Sequence, residues 1–371
     1  MKTKRPQVKL DWKEIYALLI AYFRQLNKLS IGPLDRLQSQ EYQFVVKNVS
    51  ELLKSADLST REHLSAFLLY QWPLYLSQGL SLMQEIPQVP NKVLEVGNGT
   101  GPFALAALMS GSSEAFCYDS EELSLKSAAH LAGRLGYPIS IRITNPKAVS
   151  DWPSEGKFDL IIVSYSLLNF FHDPIKQKQF VTSLLQRVNS DGHLLLVDSS
   201  SKEINHQYLK LRDLLLAEQI KIQAPCIWQG PCPALAQGAA PCFTQRPLDK
   251  PFLINDIQKS LQIHSNSHKM TYLLLCPPNQ KTTHPENKRL YRVISPPIET
   301  FKGKRHYLCG VDGKKTLGSR LTSYPKTLKA YEFLKRGDVV EINNPTELEN
   351  DLILSEESQF FLAAPFDKPV K

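Results

Sequence analysis

The chain has 371 residues, of which 42% are hydrophobic and 22% charged, and its net charge is +8. This composition is typical of a soluble protein with two or three domains. The sequence contains no run of 18 apolar residues, which argues against a membrane-spanning helix. Residues 1–12 are basic and polar and lack the apolar core of a signal peptide, so we expect a cytoplasmic protein.

The first part of the chain, residues 1–88, has the pattern of an N-terminal helical region. Apolar residues recur near helical spacing in residues 12–20 and again in residues 62–70. Asp57 or Ser59 is the expected N-cap of the second helix. The aromatic residues of this region are expected to pack in its core.

Strand and helix patterns then alternate from residue 92 to residue 200. The expected strands are 93–96, 116–119, 139–143, 158–165 and 192–198, and the helices between them include 124–135 and 176–188. This alternation predicts an α/β fold with a doubly wound parallel sheet. A helix over 206–219 and a late strand over 270–276 follow, and we place this domain at residues 89–285.

The first strand leads into a glycine-rich turn, Glu95-Val96-Gly97-Asn98-Gly99-Thr100-Gly101. Gly97, Gly99 and Gly101 allow a tight turn and a close approach of the backbone to a ligand, because they have no Cβ. The turn is not a phosphate-binding P-loop, since no Gly-Lys-Ser/Thr follows it. The pattern fits the S-adenosylmethionine (SAM) site of a class I methyltransferase, with Glu95 near the methionine amino end, as well as a dinucleotide site.

Two further strand ends are expected beside this turn. Asp119 ends the second strand and is placed to accept hydrogen bonds from a ribose diol. Ser164 and Tyr165 end the fourth strand. Because ligands bind at the carboxyl ends of strands in such sheets, we predict that these residues share one cleft with the glycine turn.

Residues 224–250 lack helical or strand periodicity and contain Cys226, Cys232 and Cys242, each preceded by proline. Three cysteines so close together in an irregular loop predict a metal site, and a four-cysteine site needs Cys276 or Cys309 as its fourth ligand. The sequence contains no C-x₂-C knuckle, which favours an iron–sulfur cluster but leaves zinc open. We expect Cys276 and the strand residue Cys117 to pack as small apolar side chains.

No catalytic residue can be assigned. RNA cytosine-C5 methyltransferases attack the base with a cysteine, often one preceded by proline, but the three Pro-Cys pairs here cluster after the fifth strand. The end of the fourth strand has neither Pro-Cys nor the Asn/Asp-Pro-Pro-aromatic motif of enzymes that methylate exocyclic amines. The sequence therefore identifies no residue that would catalyse methyl transfer.

Residues 286–342 contain short strand patterns, 289–294, 306–309, 316–321 and 339–342, which predict a small basic β domain followed by a tail, 343–371. Residues 281–340 hold 14 Lys and Arg against 5 Asp and Glu, a balance of +9. Such a concentration predicts an anionic partner, first of all nucleic acid, although a solvated basic surface would look the same. The expected phosphate contacts are Lys302, Lys304, Arg305, Lys314, Lys315, Arg320, Lys326 and Lys329.

These motifs resemble those of a family, the methyltransferase-like assembly proteins of the mitochondrial ribosomal small subunit and their bacterial relatives. The resemblance covers roughly residues 60–342. It rests on the glycine turn, Ser164-Tyr165-Ser166-Leu167-Leu168-Asn169, Arg212-Asp213-Leu214-Leu215-Leu216, the cysteine order with Gln245-Arg246, Tyr307-Leu308-Cys309-Gly310-Val311-Asp312-Gly313, and Gly337-Asp338. It implies a [4Fe–4S] cluster held by Cys226, Cys232, Cys242 and Cys309.

We therefore expect a SAM-binding, iron–sulfur protein that acts on the small ribosomal subunit or its rRNA during assembly and is monomeric when free. One alternative is an active rRNA methyltransferase in which the cluster is structural. Another is a zinc-bearing RNA-binding protein with an inactive methyltransferase fold. The lack of an assignable catalytic residue favours the assembly factor.

Overall fold

The computed structural model of the chain describes residues 8–55, 57–153, 156–236, 242–248, 250–285, 287–301, 303–321 and 323–364. The chain divides into two compact units, Met1–Ser166 with Arg246–His268, and Leu167–Gln245 with Lys269–Lys371. Within the described ranges no helix is long and apolar enough to cross a membrane.

The helices, in chain order, are α1 (Trp12–Leu26), α2 (Ser39–Ser55), α3 (Arg61–Met83), α4 (Pro102–Met109), α5 (Glu122–Arg134), α6 (Leu167–Phe170), α7 (Pro174–Leu185), α8 (Lys202–Ala217), α9 (Pro233–Ala236) and α10 (Phe252–Ser260). The helices predicted in residues 1–200 are present, with ends that differ by a few residues. The sequence patterns did not predict α2, α10 or the short helices α6 and α9.

The strands are β1 (Lys92–Val96), β2 (Glu114–Asp119), β3 (Ser140–Ile143), β4 (Phe158–Ser164), β5 (Val188–Ser199), β6 (Ile222–Ala224), β7 (Thr244–Pro247), β8 (Ser267–Leu275), β9 (Leu290–Val293), β10 (Ile298–Thr300), β11 (Gly303–Gly310), β12 (Gly313–Ser319), β13 (Val339–Asn343), β14 (Thr346–Leu348), β15 (Asp351–Leu354) and β16 (Gln359–Ala364). The strands differ in burial. Strand β4 is a nearly continuous buried apolar run, whereas buried and more exposed residues alternate along the second half of β11.

In the first unit, four parallel strands lie in the order β3-β2-β1-β4. Helices α4 and α5 connect β1 to β2 and β2 to β3. The residues of α4 from Pro102 to Leu108 are all buried, because this helix is apolar on every side. The N-terminal helices α1 to α3 and the later α10 contribute to the same core, with Leu19, Trp72 and Ile254 among its buried residues.

Helix α3 does not begin at the cap that the sequence suggested. Its N-cap is Thr60, whose Oγ1 accepts a hydrogen bond from the backbone N–H of His63 at 3.1 Å. The carboxylate of Asp57 instead accepts bonds from the backbone N–H and the hydroxyl of Ser59, at 2.9 and 3.1 Å. The two predicted caps therefore bind each other in the turn before the helix.

In the second unit, β5 and β6 both run antiparallel to β8. Parallel strands followed by an antiparallel late strand give the chain an α/β fold of the class I methyltransferase type. The stretch 224–250 is less irregular than expected, because it contains the end of β6, the short α9 and β7. Residues 237–241 and 249 of that stretch lie outside the described residues.

The second unit also contains a sheet in the order β14-β15-β12-β11-β9-β13-β16, with β10 paired to β11. The strand patterns expected in residues 286–342 are present as β9, β11, β12 and β13. The sheet extends beyond them, because β14, β15 and β16 lie in the predicted tail. Leu308, Leu317, Val340 and Tyr331 belong to its buried core.

Candidate functional site

The glycine turn between β1 and α4 has the backbone that its sequence predicts. Gly97, Gly99 and Gly101 all have positive φ, at 84°, 63° and 66°. This left-handed conformation is strained for any residue that carries a Cβ. Two hydrogen bonds hold the turn in place, one from the backbone N–H of Gly97 to the carbonyl of Tyr118 at 3.1 Å and one from the indole of Trp72 to the carbonyl of Thr100 at 3.0 Å.

Helix α3 packs closely on the helix that follows the turn. A Cβ added to Gly79 of α3 would lie 2.8 Å from the Cβ of Ala106 in α4. The glycine therefore permits the two helices to approach each other. Helix α3 therefore contacts the glycine turn through Trp72 and contacts the following helix through Gly79.

Glu95 lies at the end of β1 and is almost fully buried. Its Oε2 accepts a hydrogen bond from the backbone N–H of Ala104 at 2.7 Å, and its Oε1 accepts one from the hydroxyl of Ser164 at 2.8 Å. Burial raises the pKa of Glu95 to about 7, although these hydrogen bonds oppose the shift. The carboxyl group thus connects β1, α4 and the end of β4 around the glycine turn.

Asp119 and Gly99 approach each other on the far side of the turn. A Cβ on Gly99 would lie 2.7 Å from the Cβ of Ser124 and 3.4 Å from the carboxyl carbon of Asp119. Oδ1 of Asp119 accepts a hydrogen bond from the backbone N–H of Glu121 at 2.8 Å. Burial raises the pKa of Asp119 above its usual range. The acid that was predicted to bind a ribose is therefore adjacent to the glycine turn, as expected.

Ser164, which ends β4, and Tyr165, which follows it, differ in their surroundings. Ser164 is buried and also accepts a hydrogen bond from the side-chain amide of Asn98 at 3.2 Å. Tyr165 has a φ of +54°, and its ring stacks on Tyr75 of α3 with centroids 3.9 Å apart and planes at 9°. Its hydroxyl donates to Oε1 of Gln78 at 2.6 Å.

All seven residues predicted for the cofactor site therefore lie around the carboxyl ends of β1, β2 and β4. Asn98, Tyr75 and Gln78 also contact these residues and were not among those predicted. The sequence does give a signal for Asn98, because this residue lies between Gly97 and Gly99 of the turn. It gives none for Tyr75 and Gln78, because nothing in the helical pattern of α3 shows which of its faces meets β4.

The second candidate site is in the second unit. Cys226, Cys242 and Cys309 line one small cavity, together with Pro225, Phe243, Thr244, Gln245, Tyr272, Arg292, Val293, Ile294, Arg336 and Gly337. Cys309 lies on β11, where the register places it opposite Arg292 of β9. Ile227 packs with Leu290 and Val339, so the cysteine loop is anchored on the sheet that carries Cys309.

The thiol groups of this site raise one another's pKa values. Burial, together with the negative charge of Cys226 and Cys232, raises the pKa of Cys242 to about 12. Burial and the three other thiols raise the pKa of Cys309 in the same way. Cys232 does not line the cavity, yet its charge acts on both of these groups. Across the described ranges, no three Cys, His, Asp or Glu side chains form a group that could hold a metal ion.

Two arginines face the cysteines. Arg212 of α8 is almost fully buried, and its Nε donates to Sγ of Cys226 at 3.3 Å. Arg336 lies 4.0 Å from the centroid of the Phe243 ring and donates to the Phe243 carbonyl at 2.8 Å. Both cations can offset negative charge on the thiol groups. The remaining cysteines, Cys117 and Cys276, are buried in or directly after apolar strands, as predicted.

Several of the predicted phosphate contacts are occupied within the chain. Lys304 donates to the carbonyl of Glu332 at 2.7 Å, and Arg305 pairs with Asp351 at 3.3 Å. Lys315, whose side chain is 13% exposed, pairs with Asp312 at 3.9 Å. These three side chains are less available to a partner than the sequence suggested.

The other predicted contacts lie closer to solvent. Arg320, Lys326 and Lys329 are exposed. Lys314 lies over the ring of the exposed Tyr307, 4.8 Å from its centroid. Lys302 lies outside the described residues. The exposed basic group is therefore smaller than the eight residues that were predicted.

The chain has similarities to known methyltransferases. It is 32% identical over 82 residues to the ribosomal protein L11 methyltransferase of Symbiobacterium thermophilum, a match that covers 22% of this chain and 26% of that protein. The chain thus spans about a quarter of the length of this curated relative.

Among solved structures, the N-methyltransferase NodS of Bradyrhizobium japonicum in complex with S-adenosyl-L-homocysteine is 14% identical, with a TM-score of 0.37. That match covers 64% of this chain and 98% of NodS. The ribosomal protein L11 methylase of Lactobacillus delbrueckii subsp. bulgaricus is 17% identical, with a TM-score of 0.35, over 56% of this chain and 78% of that one.

A family model with the description "Mitochondrial small ribosomal subunit Rsm22" matches residues 77–335. The match begins within α3 and ends beyond β12, so it includes the glycine turn and all four cysteines of the second site. It extends over more than half of the chain and confirms the family resemblance found in the sequence. The chain therefore belongs to the mitochondrial small ribosomal subunit Rsm22 family.

Proposed function

We propose that this chain binds SAM and an iron–sulfur cluster and acts on the small ribosomal subunit or its rRNA during assembly. The observation that carries the proposal is the arrangement of Cys226, Cys242 and Cys309 around one cavity, in a chain of a small-ribosomal-subunit family. Two of these thiols come from a loop and the third from a β-strand far along the sequence. Such convergence supports a shared ligand.

The glycine turn supports the SAM part of the proposal. Asp119 is the residue that would hold the ribose hydroxyls, and the backbone of Gly97 to Gly101 would approach the methionine portion of the cofactor. SAM, when bound, supplies an activated methyl group. Glu95 has both carboxyl oxygens hydrogen-bonded within the protein, so its part is to hold the shape of the turn.

The residue types of the second site are those that hold a four-cysteine cluster. Within the described residues the cysteine side chains do not form a metal-binding group, so a cluster would have to bring their sulfur atoms closer together. Four thiolates and an iron–sulfur core carry net negative charge, which Arg212 and Arg336 would partly balance. Cys226, Cys232, Cys242 and Cys309 are the residues that would hold the cluster. Bound in this way, the cluster would tie the cysteine loop to the sheet that contains β11. This role is structural and requires no electron transfer.

The partner is proposed from the family and from charge. The family description names the small subunit of the mitochondrial ribosome, and ribosomal subunits present rRNA phosphates. The basic stretch 281–340 lies in the second unit and contains Cys309 of the cysteine site. A surface of positive charge favours such a partner through counterion release.

Two measurements test this function. Small-subunit rRNA from cells with and without the gene should be compared by mass spectrometry, together with the amount of mature small subunit. An assembly factor predicts that methylated positions survive while mature subunits become scarce. If a single modification disappears and purified protein with SAM restores it, the chain is a methyltransferase instead.

Calorimetric titration of the metal-replete protein with SAM tests the proposed cofactor. Absence of binding would contradict the proposal that the chain binds SAM.

A further inference from the structure

We infer that helix α8 pre-organises the cysteine site, and that Asn205, Arg212 and Asp213 are positioning residues that hold the loop cysteines in place before a cluster binds. This inference rests on the proposed iron–sulfur function. It adds three residues that are not ligands themselves. Each of them contacts a different proposed ligand, either at its sulfur or at its backbone.

Arg212 holds the first part of the cysteine loop. Its side chain is only 1% exposed, and its guanidinium donates to the carbonyl of Trp228 at 2.5 Å and to that of Gly230 at 2.9 Å. The same group donates through Nε to Sγ of Cys226 at 3.3 Å. The planar guanidinium has five N–H donors in a fixed geometry, so one side chain can fix three points of a turn.

Asp213 connects this arginine to the second cysteine. One carboxylate oxygen of Asp213 pairs with Arg212, and the other accepts a hydrogen bond from the backbone N–H of Cys232 at 3.0 Å. The ion pair satisfies the buried charge of Arg212, which would otherwise be costly. Arg212 and Asp213 together therefore fix the positions of Cys226 and Cys232.

Asn205 holds the third cysteine by both sides of its backbone. Its Oδ1 accepts from the backbone N–H of Cys242 at 3.0 Å, and its Nδ2 donates to the Cys242 carbonyl at 2.8 Å. Nδ2 also donates to the hydroxyl of Thr271 in β8 at 2.9 Å, which orients the amide. Helix α8 therefore also fixes the backbone of Cys242.

The spacing of these residues explains how one helix can reach the whole loop. Asn205 and Arg212 are seven residues apart, which is close to two helical turns, so their side chains project from the same side of α8. The fourth cysteine, Cys309, needs no such clamp because the ladder between β11 and β9 already fixes its backbone. All four proposed ligands are thus positioned by protein contacts.

Pre-organisation has a physical advantage for the proposed cluster. Ordering a flexible loop costs conformational entropy, and a ligand that finds the loop already ordered binds more tightly. The bond from Arg212 to Cys226 has a second consequence. A hydrogen bond to a cluster sulfur withdraws electron density and stabilises the reduced form, so it raises the reduction potential.

The test uses the full-length protein in metal-free and reconstituted forms. The variants are Asn205→Ala, Asp213→Ala and Arg212→Lys, which retains the positive charge but cannot reproduce the fork of donors. Asp213→Asn retains an oxygen acceptor and serves as the conservative rescue of Asp213→Ala. Lys210→Gln is the matched control, because Lys210 is an exposed residue of the same helix.

In the metal-free protein, the rate of amide hydrogen exchange should show whether each of these hydrogen bonds holds the backbone N–H of its cysteine. Asn205→Ala should speed exchange at Cys242, and Asp213→Ala should speed it at Cys232, each by about tenfold for one lost hydrogen bond. Asp213→Asn should restore most of the protection at Cys232, and Lys210→Gln should leave both amides unchanged. Unchanged exchange in Asn205→Ala and Asp213→Ala would overturn the inference.

In reconstituted protein, the same variants should take up less iron, and Arg212→Lys should have a more negative reduction potential than the wild type. A general loss of folding would not shift the potential of the iron that is bound. Iron uptake and potential equal to wild type in all three variants would also overturn the inference. If the wild-type protein binds no iron at all, the proposed function fails, whereas the exchange rates still decide whether α8 holds the loop.

Discussion

The hydroxyl of Ser164 donates a 2.8 Å hydrogen bond to the carboxyl group of Glu95, across two neighbouring parallel strands. The other oxygen of that carboxyl accepts from the first turn of α4. Because a carboxyl group at this position is buried, its protonation becomes coupled to folding. The stability of the first unit should therefore depend on pH in a way that a single substitution can reveal.

Glu95→Gln should flatten the pH dependence of stability. The pKa of Glu95 is raised from 4.5 to about 7, so between these values the folded protein binds a proton that the unfolded chain has lost. Stability should then fall as pH rises through this window, by about 3 kcal/mol in total, and be level on either side. Chemical denaturation at several pH values should show this fall in the wild type and not in Glu95→Gln. A fall of equal size in both proteins would contradict the prediction.

Gly99→Val should abolish SAM binding. The side chain would meet Ser124 and crowd Asp119, and the positive φ of the residue adds strain. Gly136→Ala is a matched control, because Gly136 also has a positive φ, of 82°, but an added Cβ meets nothing within 4 Å. The control should lose about 1 kcal/mol of stability from strain alone and still bind SAM in a calorimetric titration. SAM affinity equal to wild type in Gly99→Val would show that the turn does not approach the cofactor.

The sequence was most informative where chemistry is local. The glycine turn and the apolar run of β4 both predict their own structure, because each depends on neighbouring residues. Helix α2 was missed although Val45, Val49 and Leu52 are buried at helical spacing, so its signal was present in the sequence. In the tail, β14 pairs with the adjacent β15, whereas β15 also pairs with β12 and β16 pairs with β13, and these last two pairings are not encoded in the neighbouring residues.

Long-range side-chain contacts could not be predicted in the same way. Ser164 reaches Glu95 only because β4 lies beside β1, and Asn205 reaches Cys242 only because the loop returns to α8. The sequence identifies such residues as polar but gives no partner for them. The same limit applies to Lys315, which the charge pattern predicts as a phosphate contact and which pairs with Asp312 in the structure.

The basic residues of the second unit should contribute unequally to RNA binding. Lys326→Ala and Lys329→Ala remove exposed charges and should each weaken affinity for small-subunit rRNA. Each lost phosphate contact should also reduce the slope of log affinity against log salt by about 0.7 to 0.9. Lys315→Ala is the control, because its ion pair and its small exposure predict little change. A wild-type affinity that barely changes between low and high salt would rule out an electrostatic contact with RNA.

The measurement that tests the central claim most directly is metal analysis of protein purified without oxygen. We predict about four irons per chain and a broad absorbance near 400 nm, both from the chemistry of the cluster. Cys309→Ser should lose most of the iron, whereas Cys276→Ser and Cys117→Ser should retain it. Stoichiometric zinc with no iron and no visible band would contradict the account. A full site in Cys309→Ser together with an empty one in Cys276→Ser would contradict its choice of the fourth ligand.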